Sequence, residues 1–344
     1  MENLAQKVKE QALQMGYEKC GIIKIEDVSD FAKKLKERMS RITLGYIQFS
    51  QFKGLANPAK QFPWAKSIIV LSASYANYIT PEGFDGKYAK AYMFDSRLDE
   101  NSKEWKMRQN FKAFLEAEGL KHESEPKFGI TGLRWAAYKA GIGTIRHNNF
   151  FYTENSGSYC MLEAWLVDKE LELKEETDSK PCSDDCGKCI GACPTNSLNR
   201  AYTMSLINCA SFITTMSADK NMGNTSLKTA EKLGHLIYGC DICQDICPHN
   251  KGKHKETEDF PELSEIAQHM TPERIMSMSY EEIGCILSKY WYISQNNLWK
   301  WKLNALAFML NNYNESHNEY IKLGLKDTDK RVRTFAKKTL NKLR

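Results

Sequence analysis

Eight of the chain's eleven cysteines fall between Cys182 and Cys247, in two runs with the same ending. The first run is Cys182-x3-Cys186-x2-Cys189-x3-Cys193-Pro194. The second adds Cys209 to Cys240-x2-Cys243-x3-Cys247-Pro248. Eight thiols in one stretch must be held around something, and nothing else in the chain restricts its fold so strongly. Disulfides do not persist in a reducing compartment, and cysteines gathered this way in an intracellular chain bind metal. Runs ending in C-x3-C-P are the pattern of a two-cluster ferredoxin, in which the last Cys of each run ligates the other cluster. The spacing therefore predicts one [4Fe-4S] cluster on Cys182, Cys186, Cys189 and Cys247. It predicts a second on Cys193, Cys209, Cys240 and Cys243. The alternative is zinc, which pairs two C-x2-C knuckles into one four-ligand centre, but two C-x3-C-P endings are hard to explain that way. The outlying Cys20, Cys160 and Cys285 read as small buried side chains.

At 344 residues the chain is long enough for two or three domains. Its hydrophobic share of 42% and charged share of 26% describe a soluble globular protein. The strongest apolar run, Ser67 to Ala73, is far short of the roughly 20 residues of a membrane helix. Met1 to Lys7 has no basic stretch leading into an apolar one, so no secretory signal is expected. The expectation is a cytoplasmic protein with no membrane partner.

Residues 1–175 read as a layered α/β domain. Leu4, Val8, Ala12 and Met15 mark a helical face ended by Gly16, and Cys20–Ile25 reads as a strand. A helix follows near Phe31–Met39, then a buried strand at Ser67–Ser74. Helices are expected over 102–118 and 132–140, and a strand at Tyr159–Val167. Lys169–Lys180 reads as a charged linker. Residues 176–255 hold the cysteines. Residues 256–344 read as helical, with Trp301–Leu310, Tyr320–Leu325 and Val332–Leu340 as helices of a short α-solenoid. From Asn296 to Arg344 there are eleven Lys/Arg against four Asp/Glu. Such a basic module suits a polyanion such as RNA, or is a solvated helix surface.

Several segments resemble the epoxyqueuosine reductase family, which is related to the cobalamin-dependent reductive dehalogenases. Tyr238-Gly239-Cys240-Asp241-Ile242-Cys243-Gln244-Asp245-Ile246-Cys247-Pro248-His249-Asn250 resembles the family's second cluster motif. Ala140-Gly141-Ile142-Gly143-Thr144-Ile145-Arg146-His147-Asn148 is similar to its AGLGWIGKN motif, and Ser156-Gly157-Ser158-Tyr159 to its YGSW. Trp64–Val70 and Tyr88–Tyr92 fit upstream blocks, and the basic end resembles the family's HEAT-like tail. The resemblance implies a reductive-dehalogenase-like α/β domain, then a bacterial-ferredoxin-like domain with two [4Fe-4S] clusters, then a HEAT-like helical region. It implies a base-off cobalamin between the first two, reduced through the clusters by a flavodoxin- or ferredoxin-type donor. It also implies reduction of epoxyqueuosine to queuosine in tRNA, with tRNA bound partly through the basic tail. Gly141, Gly143, Arg146, Asn148, Ser156 and Ser158 are the implied cobalamin-binding residues.

The chain departs from the family at the proton donor. The family carries an Asp-Ser pair before the AGLG motif, and that Asp is its general acid. Here the segment is Pro126-Lys127-Phe128-Gly129-Ile130-Thr131-Gly132-Leu133-Arg134, and no carboxylate occurs between Glu125 and Glu154. An oxygen leaving group needs a placed proton. Lys127, Tyr138, His147 and Tyr152 are the substitutes the sequence offers. The family's Gly-Lys-Asn has also become Arg146-His147-Asn148 and its Asp-Tyr-His has become Asp95-Ser96-Arg97. Two other readings follow: a paralogue with the same cofactors and a small organic substrate, or a non-catalytic electron carrier.

Overall fold

The computed structural model describes residues 2–94, 100–126, 128–216, 226–290 and 292–343. The first segment runs through α1 (Glu2–Gln14), β1 (Lys19–Lys24), α2 (Phe31–Arg41), β2 (Ser67–Ser74) and α3 (Lys103–Ala117). It continues through β3 (His122–Glu123), α4 (Leu133–Lys139), β4 (Thr144–Ile145), β5 (Phe151–Tyr152) and β6 (Cys160–Val167). Strands β1, β2, β6 and β3 pair in the spatial order β1-β2-β6-β3, and every pairing is antiparallel. Helices and strands thus alternate along the chain without building a parallel sheet.

Register explains why β2 is apolar from Ile68 to Leu71. Ile69 lies opposite Ile22 and Trp165, and Val70 opposite Gly21 and Ala164. Neighbouring side chains point to opposite faces. Ile22, Ile69, Leu71 and Trp165 pack against Val8 and Ala12 of α1 and Met107, Phe111 and Leu115 of α3. Ile23, Ile68, Val70 and Leu166 pack against Ala136 and Ala137 of α4. With both faces covered, alternation gives way to a continuous hydrophobic run, and each fully buried aliphatic side chain contributes about 1.5–3 kcal/mol. Ser102 starts α3 by accepting from Trp105 N at 3.1 Å. Gly21 lets α4 approach the sheet, since a Cβ there would lie 2.8 Å from Ala140 O.

The charged stretch after β6 is not a free linker. Leu173 and Ile22 exchange backbone hydrogen bonds of 2.7 and 2.9 Å, and Ser67 Oγ donates to the carbonyls of Lys169 and Leu171. Glu175 N donates to Ala140 O at 2.9 Å. Charged residues alternate with Leu171 and Leu173 in this segment, so one side is sewn to the sheet edge while the other faces water.

The cysteine region contains α5 (Lys188–Gly191), β7 (Leu198–Arg200), β8 (Thr203–Met204), α6 (Ala210–Thr214) and α7 (Ile242–Asp245). Beyond it lie α8 (Pro272–Ser277), α9 (Tyr280–Ile286), α10 (Trp299–Asn311), α11 (His317–Gly324) and α12 (Lys330–Leu343). α10 is buried on nearly every side, with α8, α11 and α12 packed around it. This third core also takes in Tyr75, Tyr78, Phe84, Tyr88 and Phe94 from the loop after β2. Tyr238 stacks on Trp301 with centroids 4.7 Å apart. Cys20 is buried as expected and Cys160 is half-buried, but Cys285 is exposed. The buried face of α9 is set by Ile283, and two residues on from it the helix has turned most of the way round. No helix among the described residues is long and apolar enough to cross a membrane.

Candidate functional site

Three short helices present the cysteines. α5 carries Cys189, α7 carries Cys243, and α6 starts directly after Cys209. Burial pushes the Cys189 thiol up, to about 11, and the thiols of Cys182, Cys247 and Cys186 add to the rise. Burial raises Cys240 too, with Cys209, Asp241 and Cys193 adding and the Ile242 N–H opposing. Cys243 is raised by burial and then by Cys240 and Cys209, with Asp241 and Cys189 also contributing. Cys189 thus has Cys182, Cys247 and Cys186 as neighbours, Cys240 has Cys209 and Cys193, and Cys243 has Cys240, Cys209 and Cys189. Crowded, desolvated thiols of this kind are poor thiolates alone. A cationic iron core supplies the charge that stabilises them.

The polar motif residues serve the protein itself. Asn148 Nδ2 donates to Tyr152 Oη at 2.8 Å and to Cys243 O at 2.9 Å, while its Oδ1 accepts from Phe150 N. Ser156 Oγ donates to Ser74 Oγ at 2.7 Å. Ser158 Oγ donates to Gln244 Oε1 at 2.8 Å and accepts from Asn250 Nδ2 at 2.7 Å. Gly141, at φ +75°, would place a Cβ 1.8 Å from Glu175 O, and a Cβ on Gly143 would lie 2.2 Å from Tyr152 O. These glycines permit a close approach of backbone to backbone. Asn148 and Ser158 join the sheet domain to the cysteine region, while Ser156 stays within the sheet domain. Arg146 is 3% exposed and lies over the Tyr152 ring at 5.0 Å, with Nε and Nη1 unpaired.

The proton-donor candidates separate in space. His147 is buried, with Nδ1 2.9 Å from Cys186 O and its ring edge-on to Tyr202. Tyr152 is fully buried, and burial pushes its hydroxyl up, the Cys247 thiol adding to the rise. Lys127 lies outside the described residues. Tyr138 alone of the three described lines a cleft, where it is 47% exposed.

That cleft, of about 690 Å³, opens between the sheet domain and the cysteine region. Thr144, Ile145 and Asn149 form one side, and Pro181 and Tyr202–Met204 another. Phe31, Phe49, Phe52, Trp135 and Tyr138 give it aromatic walls. Lys34, Arg38, Arg41 and Arg134 bring positive charge, and Glu37 is the one carboxylate among the described lining residues. The sequence reading missed Arg38 and Arg134. The only signal was the recurrence of Lys34, Arg38 and Arg41 at the spacing of one helical face.

Residues 182–250 match the family described as a 4Fe-4S double cluster binding domain. The epoxyqueuosine reductase of Cyclobacterium marinum is 27% identical over 284 residues, spanning 76% of this chain and 84% of that protein. The epoxyqueuosine reductase of Bacillus cereus is 26% identical over 84% of this chain and 77% of its own length. A crystal structure of a selenomethionine-labelled epoxyqueuosine reductase superposes with a TM-score of 0.79 at 24% identity, covering 99% of this chain and 90% of that one. An epoxyqueuosine reductase solved with an epoxyqueuosine-modified tRNA-Tyr stem loop gives a TM-score of 0.76 at 22% identity, covering 99% of each chain.

Proposed function

We propose that this chain, which belongs to the epoxyqueuosine reductase family, is an oxidoreductase that reduces epoxyqueuosine to queuosine in tRNA. The observation that carries the reading is the cleft. It lies between a domain of the family's fold and a segment that matches a 4Fe-4S double cluster binding domain. Cys182, Cys186, Cys189 and Cys247 would hold one [4Fe-4S] cluster, and Cys193, Cys209, Cys240 and Cys243 the other. Two such clusters pass single electrons inward from a low-potential donor of flavodoxin or ferredoxin type.

The cleft suits cobalamin by its donor set. Flat aromatic walls would face a macrocycle, and the Arg38 N–H groups, which have no acceptor, would face its polar edge. Trp135, Tyr138, Phe49 and Phe52 would hold the ring. The cofactor supplies a low-potential metal centre able to open a C–O bond.

The chain's own residues do the rest. The aromatic walls exclude water and orient the epoxide-bearing ring. Tyr138, which lines the cleft and is partly exposed, would give a proton to the leaving oxygen. Two electrons and two protons enter, and the epoxide oxygen leaves as water. In the tail, Lys300, Lys302, Arg331, Arg333 and Lys342 are buried or engaged with neighbouring groups. Lys322, Lys326, Lys330, Lys337 and Lys338 are exposed and would meet tRNA phosphates in the cytoplasm.

The test is turnover. The protein is reconstituted anaerobically with iron, sulfide and cobalamin, reduced, and given tRNA carrying epoxyqueuosine. Mass spectrometry of the nucleosides should show the loss of one oxygen. No product from protein with full clusters and bound cobalamin would favour a paralogue with a small organic substrate, the reading supported by the missing carboxylate.

A further inference from the structure

The guanidiniums in the wall of the cleft carry an inference that deepens the reductase reading. α2 carries Lys34, Arg38 and Arg41 on one face toward the cleft. Arg38 lies over the Phe49 ring at 4.7 Å, which fixes the plane of its guanidinium. Its Nε and Nη2 are shielded from solvent and have no acceptor. The charge beside it is of the same sign. Burial and then Arg134 lower the Arg38 guanidinium to about 10, so it stays charged at neutral pH. Arg134 gives Nη1 to Asn149 O, which fixes one edge of its fork. The cleft's carboxylate, Glu37, is 3.8 Å from Lys34. The shielded, unpaired Arg38 guanidinium costs the fold energy, because it loses hydration and the like charge of Arg134 repels it. An anion in the cleft would reverse both costs.

We propose that Arg38 and Arg134 form a binding site for a phosphodiester. Such a group has two free oxygens on one negative charge, one for each guanidinium fork. Two sources share that chemistry: the nucleotide-loop phosphodiester of a corrinoid, and the backbone of an RNA. The choice between them rests on the function proposed above. The existence of the anion site does not.

The test uses cluster-loaded protein and inorganic pyrophosphate as the probe, followed by calorimetry. Wild type binds it, Arg38→Met and Arg134→Met bind it at least tenfold more weakly, and Arg38→Lys keeps part of the affinity. The melting temperature of Arg38→Met stays level or rises, since a repelled and unpaired charge has gone. A purely structural arginine would show the opposite. Should Arg38→Met fold poorly, Arg134→Met carries the comparison. Equal affinity in wild type and variants overturns the proposal.

Further arms identify the source. Weakened cobalamin binding with unchanged cobinamide, which lacks the nucleotide loop, assigns the corrinoid phosphodiester. A loss confined to an anticodon stem loop, with a salt slope shallower by about 1, assigns the RNA backbone. Wild type that binds pyrophosphate but neither cobalamin nor stem loop keeps the anion site and defeats the reductase reading.

Discussion

Ser158 and Asn250 grip each other twice. Ser158 N donates to Asn250 Oδ1 at 2.9 Å, and Asn250 Nδ2 donates to Ser158 Oγ at 2.7 Å, both fully buried and 92 residues apart in sequence. Asn250 Nδ2 also reaches Gln244 O at 2.9 Å. One side of this joint belongs to the sheet domain and the other follows Cys247, so the pair fixes the cysteine region against the cleft. Asn250→Ala would leave several buried groups unsatisfied, each costing about 1–3 kcal/mol. The variant should melt several degrees lower and lose its visible cluster absorbance faster in air. Unchanged melting and unchanged bleaching would show that the joint is held elsewhere.

The cysteine sets make separable claims. Cys243→Ser should lower bound iron by about half, and Cys186→Ser should do the same through the other cluster. The double variant should retain almost none. Iron analysis with EPR of the reduced protein reads the outcome, and full iron in either single variant would defeat the assignment.

Gly141 and Gly119 offer a controlled comparison. Both have positive φ, +75° and +65°. A Cβ at Gly119 meets nothing within 4 Å, whereas one at Gly141 would collide with the Glu175 carbonyl. Gly119→Ala should cost only the left-handed backbone term, about 1–2 kcal/mol. Gly141→Ala should cost clearly more and release the 169–175 strap, which limited proteolysis would detect as a new cut. Equal denaturation midpoints for the two variants would contradict this.

Lys300 predicts a pH dependence. It is fully buried in α10, and burial pulls its ammonium from 10.5 down to about 7. Above that value the folded chain has released a proton that the unfolded chain still holds. Stability therefore rises with pH between about 7 and 10.5, and the penalty is fully present below 7. Lys300→Met should be the more stable at neutral pH, with its advantage shrinking by pH 9.5. Parallel stability curves for the two proteins across that range would show that Lys300 keeps its proton.

What the sequence revealed depended on how local the signal was. β2 was legible because six consecutive residues, Ser67 to Ser72, are all buried. The cluster cysteines were legible because their spacing is itself the chemistry. The 169–175 strap was read as a linker because its charges outweighed the alternation of Leu171 and Leu173. The bonds of Asn148, Ser156 and Ser158 to distant segments were not legible, because a polar side chain near a motif looks the same whether it faces a cofactor or a distant segment. Their partners include Cys243 O, Ser74 and Asn250, and nothing local points to them. Arg38 and Arg134 meet only in the fold.

The aromatic loop after β2 has a bearing on how the protein is made. Tyr75, Tyr78, Phe84, Tyr88 and Phe94 are buried among residues of α8, α10 and α12. A ribosome exposes those rings long before it has synthesised the helices that cover them. Until then the nascent chain carries an open apolar surface of the kind that invites aggregation and recruits chaperones. Shortening the gene from its far end would therefore undo the beginning of the protein as well.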